Sequence, residues 1–367
     1  MSRIVTFLGS VGTAQTTMAI ATAHHFAQQG KRTLLITHAP GKDADRLLET
    51  TLTSEPEAIA PNLEAVQLQA TMLLDQTWEE VKKSLSSYLP DSVAIDVYPS
   101  EMVLFPGFDS ILAFNALRRY FQSEAYDILV YDSQGGIETL RMLGLPEISS
   151  WYFRRFQRLF EALDLSKIAD SMGGPIASAW VSANLDQRKM QGGMNLVQDW
   201  IRKGVAVTSD AQRLTIYLVT TEEEGAIAQA QWLWGSAQLV DLRVSGVLAY
   251  SQCHPIDLSP LKSQFDPLGV SLMPTLESQN WQPLVDALPN FDRLPAPPPP
   301  LQVDLAQRQV QVFLPGFTKQ QVKLTQMGSE LTVEAGDQRR NILLPPQLQG
   351  QPVTGGKFEA PYLVISF

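Results

Sequence analysis

The chain has 367 residues, 44% of them apolar, and a formal charge of −10 with a single cysteine, Cys253. That length suits one large domain, or a large one and a small one. The acidic balance argues against a nucleic-acid partner, whose phosphates are gripped by Lys and Arg. A lone thiol makes neither an internal disulfide nor a thiolate zinc site, which fits a reducing compartment. No apolar run reaches the about 18 residues that span a bilayer.

In chain order, "RIVTFLG" (3–9) reads as a strand that begins at once, which leaves no room for a leader and sets the expectation of a soluble, cytoplasmic protein. "SVGTAQTT" (10–17) follows, and then "MAIATAHHF", which repeats small and apolar residues at helical spacing. A Gly-containing turn from strand to helix is where a phosphate-binding loop forms, because backbone N–H groups and the helix dipole converge on phosphate oxygens. Read against G-x-x-x-x-G-K-T, Gly9 and Gly12 keep the turn, and Thr16 or Thr17 keeps the hydroxyl used for magnesium. The last glycine has become Ala14 and the lysine has become Gln15. A charge-assisted hydrogen bond contributes roughly 1.5–3 kcal/mol, so the missing lysine weakens phosphate binding by about one to two decades. The candidate nucleotide loop is therefore Gly9, Ser10, Val11, Gly12, Thr13, Ala14, Gln15, Thr16 and Thr17, and its alternative is a plain strand-to-helix turn. His24 and His25 fall on the helix and His38 in a loop; with no carboxylate at ligand spacing they read as non-metal residues.

Further strand-like runs, "RTLLITH" (32–38), "YDILVYDS" (126–133), "RLTIYLVTT" (213–221), "RVSGVLAY" (243–250) and "GVSLMP" (269–274), alternate with helix-like stretches. This is the pattern of a parallel sheet covered on both faces. Asp132 stands at the end of one such buried strand, where a carboxylate orders magnesium-bound water. Residues 147–208 interrupt the alternation with helical text rich in Met, Trp and Phe; its residues either pack on one another or form a binding surface. Within it, Arg154, Arg155 and Arg158 beside aromatics read first as one polar helix face, with peripheral contact to anionic lipid or a partner as the alternative. "RLPAPPPPL" then breaks the chain, because a proline run cannot continue a helix or a central strand. Residues 301–367 alternate apolar and polar positions between Gly and Pro turns, as a small antiparallel sandwich does. The expected organisation is an α/β domain at 1–292 with a helical insertion at 147–208, a linker at 293–300, and an all-β domain at 301–367.

Several segments together resemble one family. "YDILVYDSQGGIETLRMLGLP" (126–146) is similar to the second switch of the ArsA (arsenite-efflux) and tail-anchored-protein-targeting ATPases, usually close to D-T-A-P-T-G-H-T-L-R-x-L-x-L-P. "LFPGFDS" (104–110) resembles their L-P-G-x-D-E segment, and "GVSLMPTLESQNWQPLVDAL" (269–288) resembles the stretch whose P-x-E region lines the adenine. Residues 301–367 look like the small heat-shock, or α-crystallin, fold appended in a photosynthetic branch. The resemblance implies a P-loop NTPase sheet flanked by helices plus an α-crystallin-like sandwich. It also implies ATP on the loop with Pro274 and Thr275 near the base, Mg²⁺ at Thr16 and Asp132, and a homodimer. The helical insertions would form a groove for the transmembrane helix of a tail-anchored client, with Met172, Trp180, Met190, Met194, Leu196 and Trp200 as its flexible apolar lining.

The departures are equally specific. In register, the family's signature lysine falls on Ser10 and its phosphate lysine on Gln15, while "LLITHAPGKD" keeps Pro40 but sets Ala39 where the water-orienting aspartate belongs. No catalytic residue is assigned, hydrolysis is expected to be slow, and no zinc is expected. Lys42 and Arg141 are candidate substitute charges, each reading first as a solvated or structural one. The expectation is an ATP-binding homodimeric targeting factor or chaperone with a degraded site. The alternative is a non-enzymatic scaffold for apolar clients. An arsenite-transport subunit fits least, with one ATPase half and one cysteine. The sandwich reads as a cap on the neighbouring domain in preference to a client-binding surface.

Overall fold

The computed structural model describes residues 2–10, 12–38, 41–76, 78, 107–133, 135–162, 198–199, 201–251, 258–277, 279–292 and 298–367. Contacts divide the chain into two compact units, one of Met1–Leu68, Phe114–Gly144 and Val207–Phe367, the other of Gln69–Ala113 and Leu145–Ala206.

The first unit is organised by an eight-stranded sheet in the order β3-β4-β2-β5-β1-β6-β7-β8. Its strands are β1 (Arg3–Gly9), β2 (Thr33–Thr37), β3 (Glu57–Ala60), β4 (Leu63–Gln67), β5 (Ile128–Asp132), β6 (Leu214–Thr220), β7 (Val244–Tyr250) and β8 (Gly269–Met273). All pairings are parallel except that of the edge strand β3 with β4. Every residue of β2, β5 and β6 is buried, which is why these strands read as continuous apolar runs instead of alternating ones. Helix α1 (Gln15–Gln28) lays Met18, Ala19, Ile20 and Ala23 on Val5, Phe7, Leu35 and Val130, so the helix that starts the candidate loop is anchored over the middle of the sheet. The remaining helices described in this unit are α2 (Asp43–Leu48), α4 (Gly136–Leu143), α6 (Glu224–Leu239), α7 (Leu258–Gln264) and α8 (Gln282–Ala287). Helix α3 (Phe108–Ser123) straddles the division between the units.

The same unit holds the C-terminal sandwich: one sheet of β14-β15-β10-β9 and one of β11-β12-β13. Its strands are β9 (Leu301–Asp304), β10 (Gln309–Phe313), β11 (Val322–Met327), β12 (Glu330–Ala335), β13 (Gln338–Leu343), β14 (Gly355–Glu359) and β15 (Tyr362–Ser366), all paired antiparallel. Val310, Val312, Leu331, Val333, Leu363 and Ile365 fill the space between the sheets, and Leu239 from the end of α6 belongs to that same core. Trp234 of α6 meets Phe313 edge to face at 5.4 Å. The sandwich is thus packed on α6, not tethered beside it.

In the second unit, helix α5 (Leu145–Ala162) carries Trp151, with the Arg155 guanidinium 5.4 Å above its ring. A cavity of about 390 Å³ in this unit is lined in part by Phe153, Ile201 and Val205, with Arg154 and Arg202. No helix of the described residues is long and apolar enough to cross a membrane.

Candidate functional site

The loop after β1 turns tightly. Thr13 donates to the Ser10 carbonyl through both its backbone N–H, at 3.2 Å, and its hydroxyl, at 2.7 Å. Gly9 is required by close approach: a β-carbon there would stand 2.5 Å from Thr13 Oγ1 and 2.6 Å from the Val219 carbonyl. Gly12 has φ 88, and Ala14, in the position of the motif's last glycine, adopts φ 63 and ψ 34. A left-handed alanine costs about 1–2 kcal/mol, so the bend survives at the expense of local strain. Helix α1 begins at Gln15 with no side chain capping it. Its first-turn N–H groups, on Gln15, Thr16 and Thr17, lack acceptors within the helix and stand at the positive end of its dipole.

Gln15 fills the lysine's place without its charge. Its Nε2 is 3.4 Å from the Ser10 carbonyl, a long contact, and its Oε1 is buried with no hydrogen-bond partner. An orphaned acceptor of that kind costs on the order of 1–3 kcal/mol, and a donor or a cation entering the loop would relieve it.

Asp132 is fully buried at the carboxyl end of β5, beside β1. Thr16 Oγ1 from α1 donates to its Oδ1 at 3.2 Å and Thr37 Oγ1 from β2 donates to its Oδ2 at 3.0 Å. Burial pushes this carboxyl up to about 7, with the nearby Asp43 charge adding to the effect and the two hydroxyls opposing it. Asp132 has no ion pair among the described residues. A cation is therefore the natural complement of this group, since metal binding expels the proton and stabilises the ionised form.

The second-switch segment leaves Asp132 directly. Ser133 Oγ donates to the Phe7 carbonyl at 3.2 Å and accepts from Gly135 N–H at 3.2 Å, and Gly135 (φ 76) and Gly136 (φ 62) lead into α4. On the opposite side of β5 from Asp132, the Tyr131 hydroxyl lies 2.8 Å from His38 Nδ1 and donates to Met142 Sδ of α4 at 3.5 Å. Sequence reasoning missed Thr37 and the His38–Tyr131 pair; the signal available was a polar residue at the carboxyl end of each of two adjacent buried strands. Ala39, Pro40, Val11 and Gln134 lie outside the described residues.

Pro274 and Thr275 follow β8 on the same carboxyl edge as the loop, with Thr275 Oγ1 donating to the Ser251 carbonyl at 2.8 Å. Three strand spacings of about 4.8 Å, or ~14 Å, separate β8 from β1. Lys42 precedes α2 and Arg141 sits in the last turn of α4, both exposed. His24 stacks on Trp281 at 5.7 Å and His25 packs near Phe291, and burial lowers the pKa of each. Among the described residues no three His, Cys, Asp or Glu side chains gather as a metal cluster. Met172, Trp180, Met190, Met194, Leu196, Trp200, Arg158's side chain and Cys253 all fall outside what the structure describes.

Comparison with known proteins matches residues 2–253 to the anion-transporting ATPase family and residues 306–367 to the HSP20-like domain found in ArsA. A protein of Chlorobaculum tepidum named as a candidate arsenical pump-driving ATPase is 25% identical over all of this chain and 96% of its own length. One of the same name from Prosthecochloris vibrioformis is 26% identical over 58% of this chain and 55% of its own. An ATPase ASNA1 homolog from Paramecium tetraurelia is 27% identical over 38% of this chain and 42% of its own.

Proposed function

The chain belongs to the anion-transporting ATPase family, and from that premise we propose that it is a nucleotide-binding, homodimeric holding or targeting factor for apolar clients, with hydrolysis reduced to a slow side activity. One observation carries the nucleotide half of this reading. The uncapped N-terminus of α1 opens over a Gly turn beside the buried Asp132 that Thr16 and Thr37 already orient. Backbone amides at that terminus would hold the phosphates, Thr16 and Asp132 would hold Mg²⁺, and Pro274 and Thr275 would lie toward the base. The ion supplies charge neutralisation between phosphates when bound.

Slow turnover follows from charge. A cation that stabilises the transition state is worth about 10³–10⁵ in rate, and positions 10 and 15 carry serine and glutamine. The client half of the proposal rests on the family's helical insertions and on the apolar cavity beside Phe153, Ile201 and Val205; transmembrane helices of tail-anchored proteins are the class we assign. Arsenite handling is disfavoured, because trivalent arsenic is held by several thiolates and the chain has one cysteine.

Titration of the purified protein with ATP and Mg²⁺ by calorimetry tests the reading. Saturable binding below millimolar concentration, with dimer formation in sedimentation, is expected. Absence of binding at millimolar ATP discards it in favour of a passive scaffold on the same fold.

A further inference from the structure

The segment that leaves Asp132 becomes α4, and α4 ends against α6. A β-carbon at Gly144, the residue capping α4, would lie 2.9 Å from the Leu140 carbonyl and 2.9 Å from Val240 Cβ. The end of α4 and the cap of α6 therefore touch with no space for a side chain between them. The next residue, Asp241, is left-handed at φ 61, a strained conformation for a residue with a β-carbon. Arg340 from β13 holds it there. Its Nη2 donates to Asp241 Oδ1 at 2.6 Å and its Nη1 to the Gln238 carbonyl at 2.8 Å, closing the last turn of α6. The Arg340 side chain is 10% exposed, so this ion pair is shielded and geometrically fixed.

The seam around it is equally tight. Gly336 leaves room for Trp232, whose Nε1 would be 2.9 Å from an added β-carbon, and Gly235 of α6 does the same for Phe317, at 2.7 Å. At its start α4 is tied to the site through Gly135 N–H on Ser133 Oγ, and in its last turn Met142 receives the Tyr131 hydroxyl of β5. A short helix is thus held at its start by the segment that leaves Asp132, and near its end both by Tyr131 of β5 and by an element the sandwich pins.

We propose that Arg340 is a positioning residue for the nucleotide site: by fixing Asp241 and Val240 it braces the end of α4, so the sandwich holds the second switch in its nucleotide-receiving position. The proposal rests on the nucleotide-binding reading above. Bracing lowers the ordering cost of binding, and it acts through one continuous chain of contacts. The sandwich is then a fixed brace of the ATPase fold, distinct from a mobile client-binding arm.

The test is the dissociation rate of a fluorescent ATP analogue from the full chain, measured with Mg²⁺ by stopped flow. Arg340→Met and Asp241→Asn are each expected to speed release by about fivefold or more, the low end of ordinary coupling between sites. The double variant should be no faster than the worse single, because both remove one contact. Arg340→Lys, which keeps the charge but not the two-pronged fork, should release the analogue more slowly than Arg340→Met and faster than the original. Unchanged or slower release in Asp241→Asn, together with faster hydrogen exchange at residues 338–343 that shows the seam has loosened, overturns the proposal. Asp241→Asn, nearly isosteric, carries the test alone if Arg340→Met does not fold. Failure of the unsubstituted protein to bind the analogue at all defeats the nucleotide reading first, and the brace with it.

Discussion

Gln15 lies flat against Gly135: a β-carbon on Gly135 would stand 2.9 Å from the Gln15 Nε2 and 3.0 Å from its Oε1. The side chain in the lysine's position thus bridges the phosphate-loop side of the site to the second switch, with only the absence of a side chain at residue 135 making room. A neutral amide there fills the space and carries no charge that could offset a phosphate.

Restoring the cation is the direct consequence to check. We predict that Gln15→Lys raises ATP affinity by about ten- to a hundredfold, the equivalent of roughly 1.5–3 kcal/mol for a charge-assisted bond. Calorimetry reads it. A gain below about twofold would mean that the amides of α1 do not face a phosphate.

Asp132 makes the nucleotide-free protein pH-sensitive. Its carboxyl is raised from 3.8 to about 7, so between those values the folded state keeps a proton that the unfolded state has released. Stability from this group is therefore lost as pH rises from about 4 toward 7, by up to roughly 1.4 kcal/mol for each pH unit crossed. Asp132→Asn removes the ionisation. In urea unfolding, the variant should gain on the parent by a few kcal/mol between pH 5 and pH 8. A difference between the two proteins that does not change with pH contradicts this.

Thr16→Ala separates the metal from the phosphates. Thr16 Oγ1 touches Asp132 at 3.2 Å, whereas the backbone of residue 16 is untouched by the change. The expected outcome is that Mg²⁺ no longer strengthens nucleotide binding while metal-free binding holds within about twofold. Loss of both together would place the hydroxyl in the fold and not in the metal site.

Two glycines on α6 predict opposite effects. An added methyl at Gly235 meets the Pro315 carbonyl and the Phe317 ring, whereas Gly225 faces open space. Gly235→Ala should destabilise by about 1–3 kcal/mol through overpacking, and Gly225→Ala should stabilise by up to about 1 kcal/mol through helix propensity. Chemical denaturation of the two variants compares them; equal effects would show that the seam gives way freely.

The sequence carries most of the architecture because its strands are buried on both faces. Continuous apolar runs at β2, β5 and β6 and alternating ones at β10 and β15 distinguish a covered parallel sheet from a small sandwich, and the ordered motifs identify the family. Residues 9–17 and Asp132 are legible as candidates because each ends or follows a strand on one edge of the sheet, which backbone direction dictates, whereas Pro274–Thr275 enter only through the resemblance to the family's adenine-lining stretch.

What the sequence by itself determined was chemistry by residue type: no cation at 10 or 15, threonines at 16 and 17, a carboxylate at the end of β5, a proline break before a β domain. Only the tertiary structure decided that Thr37 and Thr16 clasp Asp132 from two different elements, that Gln15 reaches Gly135, and that Arg340 reaches back to Asp241 across 99 residues of chain. Periodicity reports which face of an element is buried. It does not report which distant side chain completes a hydrogen bond, because that depends on the packing of whole layers against one another.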